Sequence, residues 1–343
     1  MNCINKDLSQ YSDRVHISRW TPSSKGALLL CALLIIVLAL APLFASSGFL
    51  DRLTALFIYV ILAAMWNALA GYGGLVSVGQ QAFFGLGAYF TIRIADQGFD
   101  PFLAMALSTI VVAAISYPIS RVMLRLRGGE FAIGMWVIAS LIHLLVNLDT
   151  LIQGETGISL ISLNQYPSES RLTIIYLLAL FSMTALLSVL FMLLRSKVGL
   201  SIQAIRDSEE AANSIGIEPE KTKRLLFVLA AVGIGIAGAL WLASATSFQP
   251  KTYFSVQWSA YMIFMVLVGG IGKFEGAILG AILFFLVETW FSSAGVWYLI
   301  GLGATAIFFS LFMPKGIWGA LEKRYQWQFL PIGYRVINKE NKP

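Results

Sequence analysis

A chain of 343 residues that is 58% hydrophobic and only 12% charged departs strongly from soluble domains, which carry roughly 25% charged residues. With a mean hydropathy of +0.77, this excludes a soluble enzyme or nucleic-acid-binding domain. The net charge of +6 is read instead through membrane topology and anionic lipid on one face.

The apolar runs are continuous and lack the in-out alternation of barrel strands. The predicted fold class is therefore an all-α polytopic membrane protein, a bundle of about 8–10 transmembrane helices. Residues 1–25 are expected to form a cytoplasmic tail, 26–315 the transmembrane domain, and 316–343 a second cytoplasmic tail. Runs of about 20 apolar residues, the length that crosses hydrocarbon, fall near 26–45, 53–70, 75–95, 102–124, 131–149, 172–194, 225–247, 256–271, 275–291 and 296–313. The first is expected to remain as a span, because its polar leader is long and the topology of the next loop needs it. Cys3 and Cys31 lie on opposite sides of a boundary and form no disulfide framework. The third run holds Ser77, Gln80 and Gln81 among Gly79, Gly85 and Gly87, which predicts a discontinuous helix. The eighth and ninth are short, as tilted, re-entrant or broken spans are. Glycine pairs at 73–74 and 269–270 give only a faint internal repetition.

Orientation follows from the basic residues. Ten spans with both termini cytoplasmic place all but Arg52, Arg93, Arg171 and Lys251 of the 24 lysines and arginines on the inner side, as the positive-inside rule requires. Residues 195–224 form the most charged of these inner segments. Within it, Ile202, Ile205, Ala212 and Ile215 return to one side of a helix. Gly216 is expected to stop that helix, and Pro219 to open the next segment. An ordered helical projection into water is the reading.

Chemistry-bearing motifs are sparse. Gly269-Gly270-Ile271-Gly272-Lys273 lacks the spacing and the preceding strand of a phosphate loop. His16 lies in the tail, and His143 stands alone in a span as a packing or hydrogen-bonding residue. No metal site, catalytic set or cofactor bound by this chain is expected. Intramembrane polar residues are costly and normally face a bundle interior or cavity. Asn67, Gln80 and Gln81 offer amide donors and acceptors suited to a small zwitterionic or amide solute. The alternative is helix–helix hydrogen bonding, with small-residue packing at Gly85 and Gly87. For Glu288, near the outer end of its span, snorkelling to the interface and a place on a solute path both remain open.

These residues carry a family resemblance extending from about Leu53 to Gly319. The run Asn67–Tyr89 (NALAGYGGLVSVGQQAFFGLGAY) resembles the long Gly-rich signature of the LivM-like family, the permease subunits of bacterial ABC importers for branched-chain amino acids. Leu124–Ile133 (LRLRGGEFAI), Gly154–Ser159 (GETGIS), Val268–Gly272 (VGGIG) and Met313–Ile317 (MPKGI) resemble its further motifs.

Ala204–Ala212 through Gly216 and Ile217 resembles the EAA coupling segment, which in that family docks in a cleft of the cytoplasmic ATPase. The resemblance gives Ala211 and Ala212 the role of close approach, Arg206, Glu209 and Glu210 that of charged rim contacts, and Gly216 that of a sharp turn. It implies a bacterial inner-membrane assembly with a sister permease, two ATPase subunits that hydrolyse ATP, and a periplasmic solute-binding protein, with no nucleic acid. Two departures leave the solute open among branched-chain or other amino acids, urea and short amides. Gln80 and Gln81 follow Gly79 where the family commonly has a His, and Glu155 and Thr156 stand where Gly or Asn is usual. An ion-coupled secondary transporter, the rival reading, would need charged residues deep in the spans, and Glu288 is the sole acidic candidate there.

Overall fold

A computed structural model of the protein describes residues 15–18, 22–325, 329 and 335–338. Most of the tail expected over 1–25, including Cys3, lies outside the described residues, as does much of 326–343. Helix α1, Pro22–Leu40, carries Pro at its first position, where no amide hydrogen is needed. It is apolar on all sides and exposed along nearly its whole length, the character of a helix surrounded by lipid. The Tyr176 hydroxyl donates to the Leu38 carbonyl (2.7 Å). Helix α2, Ser47–Asn67, continues as a π-helical turn over Ala68–Tyr72. Every residue from Phe57 to Tyr72 is buried, making this the central element.

After a non-helical stretch over 73–80, helix α3 runs Gln81–Asp96, followed by α4 (Pro101–Met123) and α5 (Gly128–Asn147). Asp100 caps α4 by accepting from the amides of Phe102 (2.9 Å) and Leu103 (3.3 Å). Then come α6 (Ser168–Arg195), the short α7 (Lys197–Asp207) and α8 (Glu209–Ser214), and α9 (Pro219–Ala245). The chain finishes with α10 (Pro250–Tyr253), α11 (Val256–Gly269), α12 (Phe274–Phe291), α13 (Val296–Phe312) and α14 (Gly316–Tyr325). Two short antiparallel pairs, Ile158–Ser159 with Ser247–Phe248 and Val15–Ser18 with Arg335–Asn338, are the strands among the described residues. The protein is an all-α polytopic membrane protein.

Among the described residues, nine helical segments are long and apolar enough to cross a membrane. Helix α3 is not one of them. Its 16 residues rise roughly 24 Å, short of the ~30 Å of hydrocarbon. The non-helical residues 73–80 supply the missing length, so the third crossing is made by an irregular segment and half a helix. The ends that meet in space fix the path. Gly71, Arg206, Gly272 and Glu322 gather at one end, where most of the basic residues lie. Asp149, Glu155, Tyr166 and Lys251 gather at the other.

Close backbone approach holds α3 to α9. A Cβ on Gly87 would overlap the Gly235 carbonyl, and one on Gly238 the Phe84 carbonyl. Lipid tails are as apolar as leucine, so this dense contact, and not hydrophobic transfer, is what binds the two helices. Gly238→Val is therefore expected to lower the thermal stability of the detergent-solubilised protein by about 1–3 kcal/mol. Gly303→Val, where nothing lies within 4 Å of an added Cβ, should leave it unchanged in the same melting assay.

Candidate functional site

The π-helical turn at the end of α2 unwinds in steps. The amide of Gly73 donates to Ala68 O (3.1 Å) and that of Leu75 to Leu69 O (2.9 Å). The chain then turns with Gly74 at φ +68 and runs without helix or strand to Gln80. Leu75, Ser77 and Gly79 are buried, Gly74 and Val76 are exposed, and Val78 is half-buried, the period-two alternation of a strand. The buried edge is well tied. Trp66 Nε1 donates to Ser77 O (2.9 Å), while Gln80 Nε2 (3.0 Å) and the Gly79 amide (3.4 Å) donate to Ser77 Oγ. The other edge is not. Val76 is 47% exposed, and among the described residues no hydrogen bond engages the peptide groups of Val76 or Val78. Lipid does not accept such an edge; only water or protein does.

The three predicted amides fare differently. Asn67 is used on both sides: Nδ2 donates to Lys273 O (2.9 Å) and Oδ1 accepts from the Gly272 amide (2.8 Å). Gln81 Oε1 accepts from Ser259 Oγ of α11. Gln80 is fully buried, yet its Oε1 has no partner, and a buried acceptor left this way costs about 1–3 kcal/mol. Gly85 abuts the Phe254 ring and Gly87 the Gly235 backbone, so both are closely packed. Glu288 is half-buried on α12 and lies beside Tyr59 of α2.

The charged loop is ordered, but not as one helix. Ser208 takes an extended conformation (φ −158) that ends α7, and its Oγ then caps α8 by accepting from the Ala211 amide (3.3 Å). The spacing that linked Ile205 to Ala212 thus spans a break. Ile202, Ile205 and Ala212 are buried, whereas Ile215 is 74% exposed, a correction to the single apolar face expected from sequence. Gly216 has φ +84. Its amide donates to Asn213 O (3.0 Å) and the Ile217 amide to Ala212 O (3.1 Å), the paired bonds of a Schellman stop. Glu210 and Ala211 are exposed, while Glu209 pairs with Lys223 (2.9 Å) at the start of α9. A charged cleft lies between this loop and the α4–α5 turn, with Arg121, Arg127, Glu209, Glu210, Asn213 and Arg224 among its lining residues. Arg206 turns towards the bundle, where Nη1 donates to Gly71 O (3.1 Å).

At the opposite end, Glu155 ties three elements together, a role the sequence reading missed. It accepts from Asn147 Nδ2 (2.6 Å) and the Lys251 amide (2.9 Å), and meets His143 Nε2 (3.0 Å). His143 also stacks on Phe254. Burial pushes the Glu155 carboxyl up, but the Asn147 amide, His143 and the Lys251 amide outweigh it and hold the group below the usual glutamate range.

An ordered charged loop at one end, a broken span with open peptide groups, and long apolar helices between define a multi-pass membrane protein. No group of three or more His, Cys, Asp or Glu placed to hold a metal is found among the described residues. The chain belongs to the family described as branched-chain amino acid transport system / permease component, whose sequence model matches residues 48–313. It is 28% identical over 320 residues to the high-affinity branched-chain amino acid transport system permease protein LivM of Salmonella typhimurium, covering 85% of this chain and 75% of that protein. LivM of Escherichia coli gives the same figures. BraD of Pseudomonas aeruginosa, another permease protein of such a system, is 26% identical over 77% of this chain and 92% of its own. No solved structure matches the chain at a significant level.

A carboxyl held below its unfolded value stabilises the fold above that unfolded value and loses the contribution as pH falls through the folded one. Melting temperature is therefore expected to be insensitive to Glu155 titration above about pH 5 and to fall below it. Glu155→Gln should flatten that acid limb while lowering stability at neutral pH, as measured by melts of the purified protein across the range.

Proposed function

We propose that this chain is one of two different permease subunits of a binding-protein-dependent ABC importer, forming the membrane route for branched-chain or related amino acids. The observation that carries the reading is the open edge of residues 74–78. Unpaired peptide groups within a broken span call for a water-filled path or a protein cover, and transporters place substrate sites at such breaks. Gln80, with a buried carbonyl oxygen left free, follows directly on this edge and is the amide assigned to the solute. Asn67 and Gln81, whose amides are already engaged, shape the path from behind it. A zwitterionic amino acid has an ammonium group to offer that oxygen. Support for the substrate class comes from the family and from LivM and BraD, which are permease proteins of branched-chain amino acid transport systems.

The remaining parts are a sister permease, two cytoplasmic ATPase subunits that hydrolyse the ATP, and a periplasmic binding protein. In this reading the basic end faces the cytoplasm of a bacterial inner membrane, with Glu210, Ala211 and the Gly216 turn presented to the ATPase. Glu288, beside Tyr59 of α2, is given no contact with solute in this reading.

Reconstitution of the four kinds of subunit in vesicles tests this. The expected outcome is leucine uptake that requires ATP and the binding protein, whereas uptake driven by an ion gradient without ATP would overturn it. Gln80→Leu should cut that uptake while leaving assembly intact, and Asn67→Ala should lower assembly itself. Unaltered uptake by Gln80→Leu would remove Gln80 from the route.

A further inference from the structure

The charged loop and the broken span are joined by one side chain. Helix α7 follows α6 after a break at the extended Ser196, is followed by α8, and rests against α9 with Ile202 and Ile205 buried; Arg206 ties it to the end of α2. Helix α2 ends, like any helix, with carbonyls that have no partner further along its own turns. Those of Ala68 and Leu69 are taken by the amides of Gly73 and Leu75. That of Gly71 is taken by Arg206 Nη1 at 3.1 Å, a cation at the negative end of a helix. The same guanidinium is held from behind by Asp207, whose Oδ1 accepts from Nε (3.3 Å) and Nη2 (3.2 Å). Arg206 is thus clamped between its own helix and the helix end.

What lies around Gly71 gives this bond its reach. A Cβ on Gly71 would overlap Asn67 Oδ1 and the backbone of Gly272, so the turn between α11 and α12 touches the end of α2 directly. Asn67 fastens that turn by two backbone bonds, to the Gly272 amide and the Lys273 carbonyl. Lys273 in turn pairs with Glu322 of α14. The connected set therefore runs from α7 through Arg206 to the end of α2, then to the α11–α12 turn and α14. Gly71 stands two residues before the non-helical segment 73–80 begins.

We infer that Arg206 is the positioning residue that transmits movement of the charged loop to the broken span. A push on α7 reaches Gly71 through the guanidinium, and Gly71 carries the start of the 73–80 segment with it. The planar fork matters, because it bonds Asp207 and Gly71 O at once, which a lysine ammonium on a flexible stem does less well. In this account Arg206 works inside the subunit and is not a rim contact with the ATPase. The inference rests on the permease reading above.

The test uses the complete reconstituted importer with Arg206→Met and Arg206→Lys. Four quantities are read: ATPase subunits retained on purification, ATP hydrolysis stimulated by the binding protein, solute carried per ATP, and melting temperature. The expected result for Arg206→Met is retained ATPase and hydrolysis, with solute per ATP lower by about tenfold, and a smaller drop for Arg206→Lys. A rim contact would instead release the ATPase and lower hydrolysis and uptake together, leaving their ratio unchanged. A mere helix cap would lower the melting temperature without altering the ratio. Either result overturns the inference. Should Arg206→Met fail to assemble, Arg206→Lys decides alone, and a wild-type ratio there overturns it. A wild-type complex without ATP-dependent uptake would defeat the permease reading itself, whereas normal wild-type uptake with unchanged ratios in the variants defeats only the role of Arg206.

Discussion

Within hydrocarbon a peptide group has no water to turn to, so every amide and carbonyl at that depth must find a partner in the protein or open onto a wet space. Among the described residues, nine helical segments meet most of this demand through their own ladders, with short breaks at 254–255 and 313–315. Residues 73–80 do not, and much of the surrounding architecture compensates for the exception. Trp66 and Ser77 bond the buried edge of the segment, the π-helical turn spreads its last hydrogen bonds over Gly73 and Leu75, and α3 takes up the helical ladder again at Gln81. The opposite edge, at Val76 and Val78, is left for something outside the chain.

Such an irregular segment needs rigid walls. The close glycine contacts between α3 and α9 fix the outer half-span. The buried run of α2 fixes the approach from below, and Asn67 locks it to the α11–α12 turn. The exposed apolar helices α1 and α13 contribute little to this core; they present lipid-compatible surface. Order is thus concentrated around the break, and the charged loop is attached to that ordered centre through Arg206.

Sequence reading recovers what depends on local pattern. Apolar run length locates the spans, and the glycines and glutamines of 79–87 mark the third as discontinuous. Gly216 was legible as a helix stop because a left-handed stop favours glycine, and the backbone there has the positive φ required. What could not be read depends on partners distant in the chain. Arg206 is 135 positions from the carbonyl it caps, and no periodicity reports that. Asn67 looked like a solute contact because a polar residue in a span is costly, yet its amide is absorbed by a turn more than 200 positions away. Glu155 stood out only as a departure from a familiar motif, and its three partners come from two other elements, His143 and Asn147 from α5 and the Lys251 amide from α10. The break at Ser208 was a missed local signal: a serine three residues before an amide it can cap, overshadowed by the apolar spacing on either side.

Whether the open edge of the broken span meets an aqueous path is decided most directly by thiol accessibility. Val76→Cys would be placed in a chain whose Cys3 and Cys31 are replaced by serine, assembled with its partner subunits, and treated with a charged, membrane-impermeant thiol reagent. Leu144→Cys, on an exposed apolar face of α5, serves as the lipid-facing control. The account predicts modification of Val76→Cys, slowed when solute is in transit, with no reaction at the control. Modification of Val76→Cys by a lipid-soluble reagent but never by the charged one would contradict it.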